Sequence, residues 1–166
     1  MKTQEERAAY RARFVGIDFR QHPEKYRVGR GEEGVLLAEP YKSEILPHWK
    51  FKTPDVAETS AAKIHEMFLD YLNQQDFVGA DMARKFLQMG YTRSRRYANH
   101  ASGKKYAGDV PKDLRGISGA HGRAELPKEE DPVKAESAQK FLVYYQRAKE
   151  NEQYQRMLKE HKEKYG

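Results

Sequence analysis

The chain contains no cysteine. That excludes a disulfide framework, a thiolate nucleophile and a cysteine-based zinc site, and it suits a reducing compartment. Long apolar runs are missing too: nowhere do about 18 apolar residues follow one another, as a membrane-spanning helix requires. The N-terminus, Met1-Lys-Thr-Gln-Glu-Glu-Arg7, carries acids and leads into no apolar stretch, so neither an export signal nor an anchor is expected there. These absences together predict a cytoplasmic protein without membrane attachment.

Apolar residues are themselves scarce, 38% against 34% charged, with a mean hydropathy of −1.01. Eleven Tyr and seven Phe compensate, because aromatic rings bury large areas from few residues. The expectation is a folded chain with a modest core. At 166 residues a single domain over 1–166 is predicted, with peripheral helices at 1–16 and 151–166.

The net charge of +6 is unevenly spread. Residues 1–83 hold 12 Lys+Arg against 14 Asp+Glu, residues 84–123 hold 10 against 2, and residues 124–166 hold 9 against 9. A solvated face with no partner usually mixes its signs, since like charges in proximity repel. The middle segment departs from that pattern.

Residues 2–14 predict a polar helix, and Ile17 to Pro23 an extended lead-in. Lys25-Tyr-Arg-Val28 and Val35-Leu-Leu-Ala38, separated by Gly29-Arg-Gly-Glu-Glu-Gly34, predict a β-hairpin. One helical turn fits between Pro40 and Pro47, and His48 to Lys52 reads as a short strand. Thr53-Pro54-Asp55 combines a capping hydroxyl, proline at the first helical position and an acid near the positive end of the dipole; it predicts a helix to about residue 74. Asp76 is placed to cap a second helix over 79–99. At about 100° per residue, Ala83, Phe86, Leu87, Gly90, Tyr91, Ser94, Tyr97 and Ala98 share one side of it; Asp81, Arg84, Lys85, Gln88, Thr92, Arg95, Arg96 and Asn99 share the other. Asp131-Pro132 opens another helix, and Asn151 caps a last one. The fold class predicted is mainly α with a small β-hairpin, an α+β arrangement of about four to five helices around one core, with a long turn-rich loop at 100–131.

Three motifs invite a functional reading and two of them fail on chemistry. Gly29 to Gly34 matches G-x-G-x-x-G, but a dinucleotide loop must open a helix, and Val35-Leu-Leu reads as a strand; Glu32 and Glu33 would also repel a phosphate. His65-Glu66 begins the H-E-x-x-H zinc pattern, yet Leu69 stands where the second histidine belongs, so no metal site is predicted. The third is the basic run. Arg84, Lys85, Arg93, Arg95, Arg96, Lys104 and Lys105 supply charge, with planar guanidinium forks that match phosphate oxygens in pairs. Gln88, Thr92, Asn99 and His100 add neutral donors, and Tyr91, Tyr97 and Tyr106 offer rings.

These eleven charged and polar positions form the predicted site. The predicted function is non-catalytic binding of an anionic, phosphate-bearing ligand, nucleic acid or nucleotide, with no cofactor. The alternatives are an enzyme acting on a phosphorylated nucleotide-like substrate, with His100 or His121 as acid or base and Asp81 or Glu44 orienting it, and an interaction module docking on an acidic protein. Oligomeric state is not predicted.

Three segments are distinctive as strings: Tyr26 to Val35, Glu39 to Trp49, and Asp76 to His100. On these the chain resembles a family of small bacterial, phage and fungal proteins described only as a domain of unknown function or "cytoplasmic protein". The resemblance spans roughly 17–160. It implies a cytoplasmic single domain and carries no reaction, ligand or site residue.

Overall fold

In the computed structural model, which describes residues 3–99, 107–108, 110, 120–121, 123–124 and 131–166, the described residues form six α-helices and no β-strand. They are α1 (Gln4–Ala12), α2 (Tyr41–Ile45), α3 (Pro54–Asn73), α4 (Phe77–Asn99), α5 (Pro132–Glu150) and α6 (Glu152–Tyr165), with 3-10 turns at Pro23–Lys25 and Leu46–His48.

Helix ends fall where the capping chemistry places them. Thr53 Oγ1 accepts from Val56 N, Asp131 from Val133 N and Lys134 N, and Asn151 from Tyr154 N, with proline at the first position of α3 and α5. Asp76 Oδ1 accepts from Gly79 N at 3.0 Å, and α4 starts at Phe77, two residues ahead of the predicted start. α1 opens with a reciprocal capping box between Thr3 and Glu6 and buries nothing, as a peripheral helix should.

α3, α4 and α5 pack against one another, and α6 crosses onto α4 and α5. Gly90 is what lets α5 come close. A Cβ there would stand 2.2 Å from the Phe141 ring, which is fully buried, so only hydrogen fits. From Phe77 to Leu87 every residue of α4 is buried, and an exposed side opens only at Gln88. α4 is therefore the central helix, covered on both flanks over its first three turns.

The predicted hairpin is corrected. Its backbone groups are used elsewhere: Tyr26 N donates to Pro23 O at 3.1 Å, Val35 N to Glu32 O at 3.1 Å, and both Leu37 N and Ala38 N to Gly34 O. The two apolar runs each anchor separately in the core through Tyr26, Val35 and Ala38. Gly34 has φ +85°, and a Cβ on it would lie 2.7 Å from the Phe14 ring, so this turn needs glycine. Among the described residues, β pairing is limited to an isolated parallel bridge between Asp18 and Glu39. Likewise, the strand read at His48 to Lys52 is a 3-10 turn and a docked segment. Ser60 of α3 takes its polar groups, donating to His48 O at 2.6 Å and accepting from Lys50 N at 2.9 Å. The lead-in at Ile17 to Pro23 folds into a turn around Asp18, whose Oδ1 accepts from Arg20 N and Gln21 N. Most of the loop at 100–131 lies outside the described residues.

Candidate functional site

The polar stripe of α4 divides into two parts with different surroundings. In its first turns Asp81, Arg84 and Lys85 sit at i, i+3 and i+4, so the helix sets one carboxylate beside two cations. All three are covered: Asp81 and Lys85 are 0% exposed and Arg84 8%. Arg84 Nη2 meets Asp81 Oδ1 at 2.7 Å and Lys85 Nζ stands 3.9 Å from Oδ2. Two phenols complete the carboxylate's shell. Tyr154 of α6 donates to Oδ1 at 2.7 Å and Tyr26 donates to Oδ2.

The two cations also reach the 29–34 loop and Gln88. Arg84 Nη1 donates to Gly31 O at 2.9 Å and to Gln88 Oε1 at 2.9 Å, and Lys85 Nζ donates to Glu33 O at 2.5 Å. His161 of α6 binds Tyr26 O through Nε2 at 2.5 Å and packs on Phe77 and Tyr165. Burial alone would raise the Asp81 carboxyl, but the Arg84 and Lys85 charges and the two phenols outweigh it and hold it at about 2. Burial pushes the Lys85 ammonium down to about 8 against the attraction of Asp81. Burial and the Asp81 charge raise both phenols, so they stay protonated donors.

The expectation that Arg84 and Lys85 lie on an open basic face is thus corrected. They neutralise Asp81 inside the protein and clamp the 29–34 loop onto α4. Gln88 serves the same clamp as the acceptor for Arg84. Periodicity misplaced them because it reports polarity and not what covers a face. The residues that cover it, Tyr26, Tyr154 and His161, come from sequence far from α4.

The second part of the stripe begins at Gln88 and stays partly open. On it Arg95, Arg96 and Asn99 are half-buried in the last two turns and Thr92 is exposed, while Arg93, also half-buried, lies off the stripe. Thr92 Oγ1 donates to Glu32 Oε1, and Arg95 Nη2 donates to Asn99 Oδ1 at 3.1 Å. Positive charge at this end of a helix also answers the negative end of its dipole. His100, Lys104, Lys105 and Tyr106 lie outside the described residues.

The carboxylates considered for an enzyme are committed to other partners. Asp81 serves the buried network, and Glu44 takes Arg20 through both oxygens at 2.7 Å and Tyr71 at 2.8 Å. His65 stacks on Phe68, with ring centroids 5.8 Å apart, and burial followed by the Arg147 charge lowers its pKa. A pocket of about 360 Å³ opens between the start of α4 and the end of α6, lined in part by Arg20, Asp76, Phe77, His161 and Lys164. Arg20 there is matched by Glu44 and by Asp76 at 3.4 Å. Among the described residues no three metal-ligating side chains converge, and no helix is long and apolar enough to cross a membrane.

These features describe a protein whose described residues form a helical fold with a buried ionic network at its centre and arginines at the open end of its central helix. The family model for a domain of unknown function, DUF4385, matches residues 9–164, and the chain belongs to that family. Neither a curated protein nor a solved structure matches it.

Proposed function

We propose that the protein binds a phosphate-bearing ligand without transforming it, through the open end of α4 and the basic segment that follows. One observation carries the reading. With Arg84 and Lys85 set aside as internal, residues 88–123 still hold eight Lys+Arg against two Asp+Glu. Arg93, Arg95 and Arg96 fall within four residues on a helix whose first three turns are fixed in the core. A cluster of like charge on a rigid support is the electrostatic footprint of an anion site.

The test is fluorescence anisotropy of a labelled 20-nucleotide single strand titrated with protein across a series of salt concentrations. Affinity falls steeply with salt, and Arg95→Ala with Arg96→Ala lowers the slope by about 1.4, the share of two phosphate contacts. Lys159→Ala with Lys162→Ala, which removes equal charge from α6, leaves the slope alone. A parallel thermal-shift series with mononucleotides separates the two ligand sources: stabilisation there without oligonucleotide binding assigns a mononucleotide. Salt-independent binding, or no response to any phosphate compound, rejects the reading.

A further inference from the structure

We propose that the 29–34 loop is a built-in competitor for this anion site, with the Glu32 carboxylate occupying ground that a ligand phosphate takes. The inference rests on the function proposed above and adds its regulation.

The loop is fixed to α4 at its backbone and releasable at one side chain. Gly31 O and Glu33 O are held by Arg84 and Lys85, both buried, so the ribbon cannot drift. Between those anchors Glu32 turns outward, and its carboxylate accepts from the Thr92 hydroxyl, an exposed contact. Thr92 precedes Arg95 and Arg96 by three and four residues, the spacing at which helical side chains are neighbours on one face. The loop thus delivers a negative charge beside the arginines at the edge of the open stripe. Glu33 points elsewhere: its carboxylate accepts from Arg30 N at 3.3 Å and lies 3.9 Å from Arg13. The two adjacent acids therefore differ in role, and that difference makes the inference testable.

Binding of the same labelled oligonucleotide, and of ATP by thermal shift, is compared for the wild type, Glu32→Gln, Glu33→Gln and Glu32→Gln in the Arg95→Ala/Arg96→Ala background. Glu32→Gln keeps an acceptor for Thr92 and removes only the charge. It tightens binding about two- to five-fold, the scale of an exposed charge interaction. Glu33→Gln has no such effect, and the gain disappears without the two arginines. If the wild type binds and Glu32→Gln binds equally, or if Glu33→Gln gains as much, the competitor role is overturned while the anion site stands. If neither the wild type nor Glu32→Gln binds either probe, the anion site fails and the competitor with it.

Discussion

The Tyr154 hydroxyl of α6 donates to Asp81 Oδ1 of α4 at 2.7 Å, across 73 residues of sequence. This contact ties the last helix to the central one at a carboxylate that is also paired with two cations. Asp81 is thus a junction of Tyr26, Tyr154, Arg84 and Lys85.

Replacing it has a calculable direction. Asp81→Ala leaves the Arg84 and Lys85 charges buried without a counter-charge and should cost about 3–5 kcal/mol, as breaking one side of a buried ion pair does. Urea unfolding measures this directly. A loss below about 1 kcal/mol would show that water reaches the site and screens it.

The same cluster fixes two windows of pH dependence, and the signs follow from which state holds the proton. The Asp81 carboxyl is lowered from 3.8 to about 2, so the unfolded chain binds the proton first as pH falls. Its contribution is complete above pH 3.8 and is lost as the pH drops towards 2. Lys85 is lowered from 10.5 to about 8, so between those values the unfolded chain again holds the extra proton. Stability relative to a Lys85→Met variant therefore rises from pH 8 towards 10.5. Equilibrium unfolding of both proteins at pH 7, 8, 9 and 10 tests this, and a flat difference would place Lys85 in a wetter environment.

Much of the helical framework was legible because its signals are local. Thr53-Pro54, Asp131-Pro132 and Asn151 mark starts by satisfying free N–H groups within three residues, and α3 and α4 repeat their apolar residues at helical spacing. The hairpin was not legible for a physical reason. Lys25 to Val28 and Val35 to Ala38 are short apolar runs that a strand or an irregular core segment fits equally well, and what decides between them is Arg84 and Lys85 taking loop carbonyls more than 50 residues away. The site failed in part on the same point. The i, i+3, i+4 spacing of Asp81, Arg84 and Lys85 already held the signal of an internal ion-pair cluster, whereas its burial under α6 could come only from the tertiary structure.

Gly90→Ala sets two effects against each other. Alanine gains about 1 kcal/mol of helix propensity over glycine, but its methyl would meet Phe141 ring atoms at 2.2 to 2.6 Å. The ring is fully buried and cannot swing aside, so overpacking should win and the net effect should be a loss of about 1–3 kcal/mol. Thermal unfolding decides it; an unchanged or raised Tm would mean that α4 and α5 separate at little cost.

Tyr26→Phe and Tyr154→Phe probe the carboxylate from its two sides. Each removes one hydroxyl donor to Asp81 and leaves the ring packing intact, so each should cost about 1–3 kcal/mol for a buried acceptor deprived of a partner. Tyr154 has a second role, since Arg84 Nε also reaches its oxygen at 3.2 Å, and its loss should be the larger of the two. Because both phenols act through one carboxylate, the double variant should depart from the sum of the singles by more than about 0.5 kcal/mol. Strict additivity in a urea double-mutant cycle would mean that the two phenols stabilise the fold independently and that Asp81 is not the junction between α6 and the rest of the protein.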